Sequence, residues 1–382
     1  MTFTRWSALG GALLLLGGCS TISDWVSGKN NVAVPAELHE FSPTAQFEVR
    51  WRAQLGEAGA SVLQPGIRPD AIFGASGEGQ LTRVARKTGK SEWQVESGIH
   101  ITAGVGVGEG LVLVGGNKGE VLAYDEAGKL RWKSKVSSEV LSAPQAVGNI
   151  VVVRSGDGRI AGLNAADGKR VWFYERSTPA LVVRSHAGVV IQRDTLFAGF
   201  AGGKLAAIKV KDGSVLWENA VSLPRGNTEL ERISDITSDP VVDDEQVCAI
   251  AFQGRLACFD VAQGSTLWTR DISSDKGMML LRKFLYLTDA GGVLMALDKT
   301  NGSTLWKNDQ LTLRKNTTPY TTGNVTLTGD FEGYVHALNR EDGRIVARVH
   351  LDDTAVQGAP LELDDGLLVQ TQGGGLYSLS LH

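Results

Sequence analysis

The sequence predicts an all-β fold, an eight-bladed β-propeller of four-stranded antiparallel blades, closed into a ring by its own N-terminal strand. Three observations predict it. A unit recurs in tandem, because Gly79, Gly119, Gly158, Gly203, Gly254, Gly292 and Gly333 lead, 13 or 14 residues on, to Trp93, Trp132, Trp172, Trp217, Trp268, Trp306 and Ala347. Each unit reads as about four short strands: a Val/Leu/Ile run precedes the Gly, and an Asp-Gly or Asn-Gly turn divides the stretch after it into two, as at Asn301-Gly302 and Asp342-Gly343. Finally, the last unit ends with the strand 375–379 and has no Trp-bearing outer strand, while an orphan strand of that kind, ending in Trp51, stands near the start. Pairing the two completes eight blades and leaves no open seam in the sheet. Removing residues 47–52 is therefore expected to destabilise the whole ring.

The elements before the ring are targeting features. Arg5 precedes an apolar run, residues 8–16, too short to span a bilayer and suited to a signal peptide over residues 1–18. The run ends in Leu16, Gly17, Gly18 and Cys19, which resembles a bacterial lipobox and makes Cys19 the expected lipid-bearing (palmitate-type) N-terminus. Ser20 after the cysteine matches outer-membrane rather than inner-membrane sorting, and acyl chains suffice for a stable anchor. Residues 19–46 then read as a lipid-anchored linker and residues 47–382 as the propeller.

Within the ring the tryptophans read as core, wedged between adjacent blades, since a binding Trp would have no reason to recur in nearly every unit. Cys248 and Cys258 fall on neighbouring strands of one hairpin. A one-residue bulge decides whether their side chains share a face; two small buried hydrophobes is the favoured reading and a disulfide the alternative.

Composition and motifs exclude most chemistry. Glycine supplies 47 of 382 residues without any triplet period, which fits many strands and tight turns rather than collagen. A formal net charge of -4 offers no basic face for phosphates, so nucleic acid is not an expected partner. The six histidines are scattered, with no zinc-type spacing, and no metal or cofactor is expected. Thr88-Gly89-Lys90-Ser91 lacks the first glycine of a phosphate loop, where Val84 stands. Ser273 and Lys276 fit the permissive S-x-x-K pattern without companion motifs. The glycines 104, 106 and 108 lie inside a strand pattern, not between a strand and a helix.

The blade line with its Asp or Asn, Gly turn and Trp resembles the repeat of pyrroloquinoline-quinone dehydrogenases, which makes a periplasmic dehydrogenase the first rival reading. Those enzymes carry long roofing insertions and adjacent cysteines, whereas here the connections are short and the cysteines are ten positions apart. A resemblance covering nearly the whole chain is to the BamB family, the propeller lipoproteins of the β-barrel assembly machinery in Gram-negative outer membranes. The lipobox, the linker ending in Phe41-Ser42-Pro43-Thr44, the eight repeats and residues 228–235 carry it. The resemblance implies a non-catalytic, monomeric scaffold that docks to the periplasmic POTRA domains of BamA. It would work within the rest of the Bam complex, on the periplasmic face of the outer membrane, assisting folding and insertion of outer-membrane proteins. A generic envelope adhesion propeller is the remaining alternative.

Departures from the period mark the expected site. From closing residue to next Gly the gap is 24 to 28, but it rises to 31 after Trp172 and to 37 after Trp217. The first long stretch holds Leu181, Val182, Val183 and Arg184, an apolar triplet beside an arginine; in the second, Thr228 and Glu231 fit a capping box. Apolar residues rimmed by charge suit an interface. The family resemblance assigns Leu181, Val183 and Arg184 to one BamA contact and Asp235 to another. This chain departs from the family at Thr237, where a second acidic residue is usual, and at Val183, where leucine is usual. Glu231, Arg232 and Asp239 are the charged neighbours expected to share the electrostatic role.

Overall fold

The computed structural model describes residues 33–382, so the expected signal segment and Cys19 lie outside the described residues. Among the described residues there are 32 strands, arranged as eight four-stranded antiparallel sheets. Seven blades use four consecutive strands, blade 1 being Gly66–Ile67, Ala71–Ala75, Gln80–Ala85 and Ser91–Glu96. First strands of neighbouring blades touch one another, which puts them at the axis. The fourth strands form the rim and alternate between exposed and half-buried side chains.

Blade 8 is composite. Leu361–Leu363, Gly366–Gln370 and Gly375–Leu381 supply three strands, and Phe47–Gln54 adds the fourth. Phe47 lies opposite Leu381 and Gln54 opposite Gly375, so the two distant segments meet in one ladder. The compact unit nevertheless begins at Pro35, earlier than the expected boundary at Phe47, because residues 35–46 are laid onto the ring.

The core is divided into slabs, one in each gap between blades. Phe73 and Leu81 of blade 1 pack with Ile101, Val112 and Leu122 of blade 2; Leu55 and Ile72 meet Leu363, Leu368 and Leu376 of blade 8 in the closing slab. Each recurring Trp bridges to the following blade. Trp132 Nε1 donates to Ala165 O at 2.8 Å, and Trp306 Nε1 to Arg340 O at 2.8 Å. The ring also covers the glycine of the next Asp-Gly turn. A Cβ added at Gly343 would sit 2.4 Å from the Trp306 ring, and the φ of +72° there independently favours glycine. Trp51 repeats this packing on Gly89 of blade 1.

Ala347 is the exception, and blade 8 explains it. The third and fourth strands of that blade come from opposite ends of the chain, so no Asp-Gly turn joins them to receive an indole. Ala45, Phe47 and Leu381 pack in its place beside the buried Ala347.

A register shift occurs in all eight rim pairings. Trp172 faces Gly162 and Arg170 faces Leu163, which leaves Val171 as the extra residue. A bulge of this kind twists an exposed edge and discourages stray strand addition.

The expectation for the cysteines is corrected. Cys248 and Cys258 are disulfide-bonded, with Cα atoms 4.1 Å apart. They stand directly opposite each other in an unbroken ladder from Gln246 to Ile250; the bulge lies on the other side of that strand, between Cys258 and Phe259. Both are fully buried.

Candidate partner-binding site

Two connections, residues 175–189 and 221–240, run from the rim of one blade to the axis of the next, so they lie on the same face of the disc in adjacent positions. The first carries no strand of its own until Val190. It is held from below by Asp235, which is only 3% exposed. The carboxylate accepts the backbone N–H of Val183 at 2.7 Å and that of Gly202 at 2.9 Å. Phe252 N in turn donates to Asp235 O at 2.8 Å, tying the next blade to the same residue. Asp235 therefore braces the loop instead of facing outward.

With Val183 half-buried over this brace, Leu181 (44% exposed) and Val182 (48% exposed) project outward. Arg184 comes next in the loop, and its guanidinium grips Glu139 with two bonds, Nε to Oε1 at 2.9 Å and Nη2 to Oε2 at 2.8 Å. That pair holds the Glu139 carboxyl below its ordinary range and the Arg184 group above its own, chiefly through the side-chain hydrogen bonding. Beside it His186 Nδ1 donates to Leu141 O at 3.1 Å, and burial pushes its imidazole toward the neutral form. A forked pair with a partly buried carboxylate fixes the arginine's direction while leaving more than half of it open.

Under the loop lies a cavity of about 150 Å³, lined by Val182, Val183, Leu141, Phe200, Arg154 and Asp235 among others. Arg154 and Arg176 each set a guanidinium 5.4 Å from the centre of the Phe200 ring. Asp239 is exposed, and its carboxylate accepts the backbone N–H of Gly188.

The second connection folds into its own turn. Glu231 accepts Asn227 N at 2.7 Å and Thr228 N at 3.1 Å, while Thr228 Oγ1 accepts Glu231 N at 3.2 Å, the reciprocal capping pattern expected there. Arg232 Nε is engaged with Gly226 O at 3.1 Å. Glu231 and Arg232 thus shape a turn that presents Leu230 and Leu223, both strongly exposed.

The structure joins Val183 to Asp235 directly and sets Leu181 and Arg184 on the same braced loop; Glu231 and Arg232 form a neighbouring but separate turn. Sequence reasoning included Val182 in the apolar triplet without assigning it a contact, and it missed Leu223, Leu230 and Glu139. Glu139, 45 positions from its arginine, left no local signal.

Fold and loops define a class, an eight-bladed propeller with quinoprotein-like repeats and a braced loop face whose apolar tips are exposed. The sequence comparisons narrow it. A family model described as "Outer membrane protein assembly factor BamB" matches residues 77–308. A protein of that name from Nitrosomonas eutropha is 42% identical over 380 residues, covering 97% of this chain and 93% of its own. The chain belongs to the BamB family of outer membrane protein assembly factors, which are not enzymes. The crystal structure of BamB from Moraxella catarrhalis superposes with a TM-score of 0.81 at 27% identity, over 87% of this chain and 99% of that one. Quinohemoprotein alcohol dehydrogenase from Comamonas testosteroni shares the fold alone, with a TM-score of 0.73 at 14% identity over 87% of this chain and 76% of that one.

Proposed function

We propose that the protein is the scaffold of an outer-membrane β-barrel assembly complex, anchored through lipid on Cys19 at the periplasmic face and docked to the POTRA domains of BamA. The exposed tips Leu181 and Val182, the half-buried Val183 and the pinned Arg184 supply the contact. Asp235 sets their geometry from beneath, and Glu231 and Arg232 shape the neighbouring turn that adds Leu223 and Leu230. One observation carries the reading: apolar side chains are left exposed on a loop whose backbone and arginine are both fixed in advance. A site ordered before binding loses less conformational freedom when it docks. Tethered to the same membrane as its partner, such a scaffold raises local concentration and holds the POTRA domains in register while unfolded clients arrive.

The test is co-purification with BamA from detergent-solubilised outer membranes. Leu181→Asp combined with Arg184→Glu should abolish recovery of the complex while the ring still unfolds in one cooperative thermal transition. Full recovery by that double variant would remove the proposed site.

A further inference from the structure

Residues 35–46 form a strap over the rim of blades 6 and 7, about three blades round the ring from the braced loops of blades 3 and 4. Ala36 N donates to Thr312 O at 3.0 Å, and Leu38 enters the slab of Phe284, Tyr286 and Trp306. Thr44 N donates to Val346 O at 3.0 Å, capping the bulge residue of blade 7 before the chain enters its own strand in blade 8.

Two arginines hold the strap by its backbone. Arg314 Nη1 donates to Ala36 O at 2.9 Å and Arg348 Nη1 to His39 O at 3.2 Å, with the Arg348 guanidinium 5.1 Å from the Phe41 ring centre. Neither arginine is free to wander. Arg314 is buried, and its Nε meets the fully buried Asp330 at 2.7 Å while Nη2 meets Glu332. Arg348 Nε donates to His336 Nδ1 at 3.1 Å, so His336 carries its proton on Nε2 and donates it to Asp330 Oδ2 at 3.0 Å. Buried Arg314, Asp330 and His336 and the half-buried Arg348 thus form one network with two donors aimed at strap carbonyls.

We propose that this network is a tether clamp that turns the rim of blades 6 and 7 toward the lipid surface and the braced loops of blades 3 and 4 away from it. The inference rests on the reading of Cys19 as the anchor. Docking shortens the tether. With the strap bound, the 16 residues from Cys19 to Pro35 reach at most roughly 55 Å, about the width of a ring of this size. Released to Gln46, the 27 residues would reach roughly 90 Å and let any edge approach the surface. The clamp therefore decides which edge faces lipid.

The test uses the full acylated chain on phosphatidylethanolamine–phosphatidylglycerol vesicles carrying nitroxide headgroups, with a thiol-reactive fluorophore at Glu341→Cys or Ala166→Cys. These exposed positions are equivalent in the Asp-Gly turns of blades 7 and 3, and the native cysteines of the ring are buried in their disulfide. Quenching should be several-fold stronger at 341 than at 166, and the difference should vanish in Arg314→Gln/Arg348→Gln. Should that pair unfold the ring, Leu38→Glu/Phe41→Ala releases the strap from its own side and should give the same loss. Equal quenching in the unaltered chain, or a difference that survives release of the strap, overturns the orientation alone. Vesicle binding that survives Cys19→Ser overturns the anchor reading, and the clamp's membrane role with it.

Discussion

Two buried aspartates organise separate sectors of this ring, and they do so with different chemistry. Asp235, beneath the loops of blades 3 and 4, takes backbone N–H groups from Val183 and Gly202. Asp330, in blade 7, takes backbone N–H groups from Glu332 and Tyr334 on one oxygen and Arg314 and His336 on the other. The first arrangement fixes a loop and leaves its apolar tips uncovered; the second fixes side chains that reach out and cover the rim with the chain's own strap. A carboxylate satisfied by main chain shapes a surface for something else to occupy. A carboxylate that also binds side-chain donors builds a clamp that is already occupied.

The contrast makes ordered predictions. Asp330→Ala should have the largest effect, because it strands a buried guanidinium and a buried imidazole; breaking such a network costs about 3–5 kcal/mol, read as a lower denaturant midpoint. Asp235→Ala leaves two backbone donors unpaired and should cost about 1–3 kcal/mol. Its signature is local: protease should cut within residues 178–187 well before the ring unfolds, and BamA recovery should fall with it. A variant in which the two substitutions cost the same would erase the distinction.

Acid should act on both regions, through His336 in the clamp and His186 beside the braced loop. Burial, reinforced by Arg348 and Arg314 and opposed by Asp330, holds the His336 pKa below its ordinary 6.5. The unfolded chain therefore binds the extra proton first, and stability complete above about pH 6.5 should decline as pH falls below it. Burial works against ionisation of Asp330, but the His336 bond and the Arg314 guanidinium outweigh it and hold its carboxyl below 3.8. Its contribution is lost at still lower pH. Thermal melts at pH 7 and pH 5.5 should show a drop that His336→Gln reduces; an unaltered drop would mean that other groups carry it. The smallest expected stability change is that of Leu181→Asp, within about 0.5 kcal/mol for an exposed loop site, and urea titration checks it.

Much of the ring was legible because its signals are local and repeated. The Gly-to-Trp spacing located the rim strands, and the orphan strand at Trp51 located the closure. The capping pattern of Thr228 and Glu231 was visible in four consecutive letters. What escaped depends on register or on distant partners. Whether Cys248 and Cys258 meet turns on which side of one strand the bulge falls, and the pattern of apolar residues is the same in either case. Asp235 read as a surface charge because a buried carboxylate satisfied by main-chain donors needs no charged partner in the sequence. Its apolar neighbours Ile233 and Ile236 were the available hint. The strap escaped because it is held mainly by its carbonyls, which every residue possesses.

The composite eighth blade also orders events in time. Phe47–Gln54 is among the first ring segments made, yet its partner, Gly375–Leu381, is among the last. Seven blades can stack as they emerge, while the founding strand waits unpaired and the faces of blades 1 and 7 stay bare. Completion is thus a single late event spanning almost the entire polypeptide, and a chain stalled short of its final strand would remain an open, sticky arc.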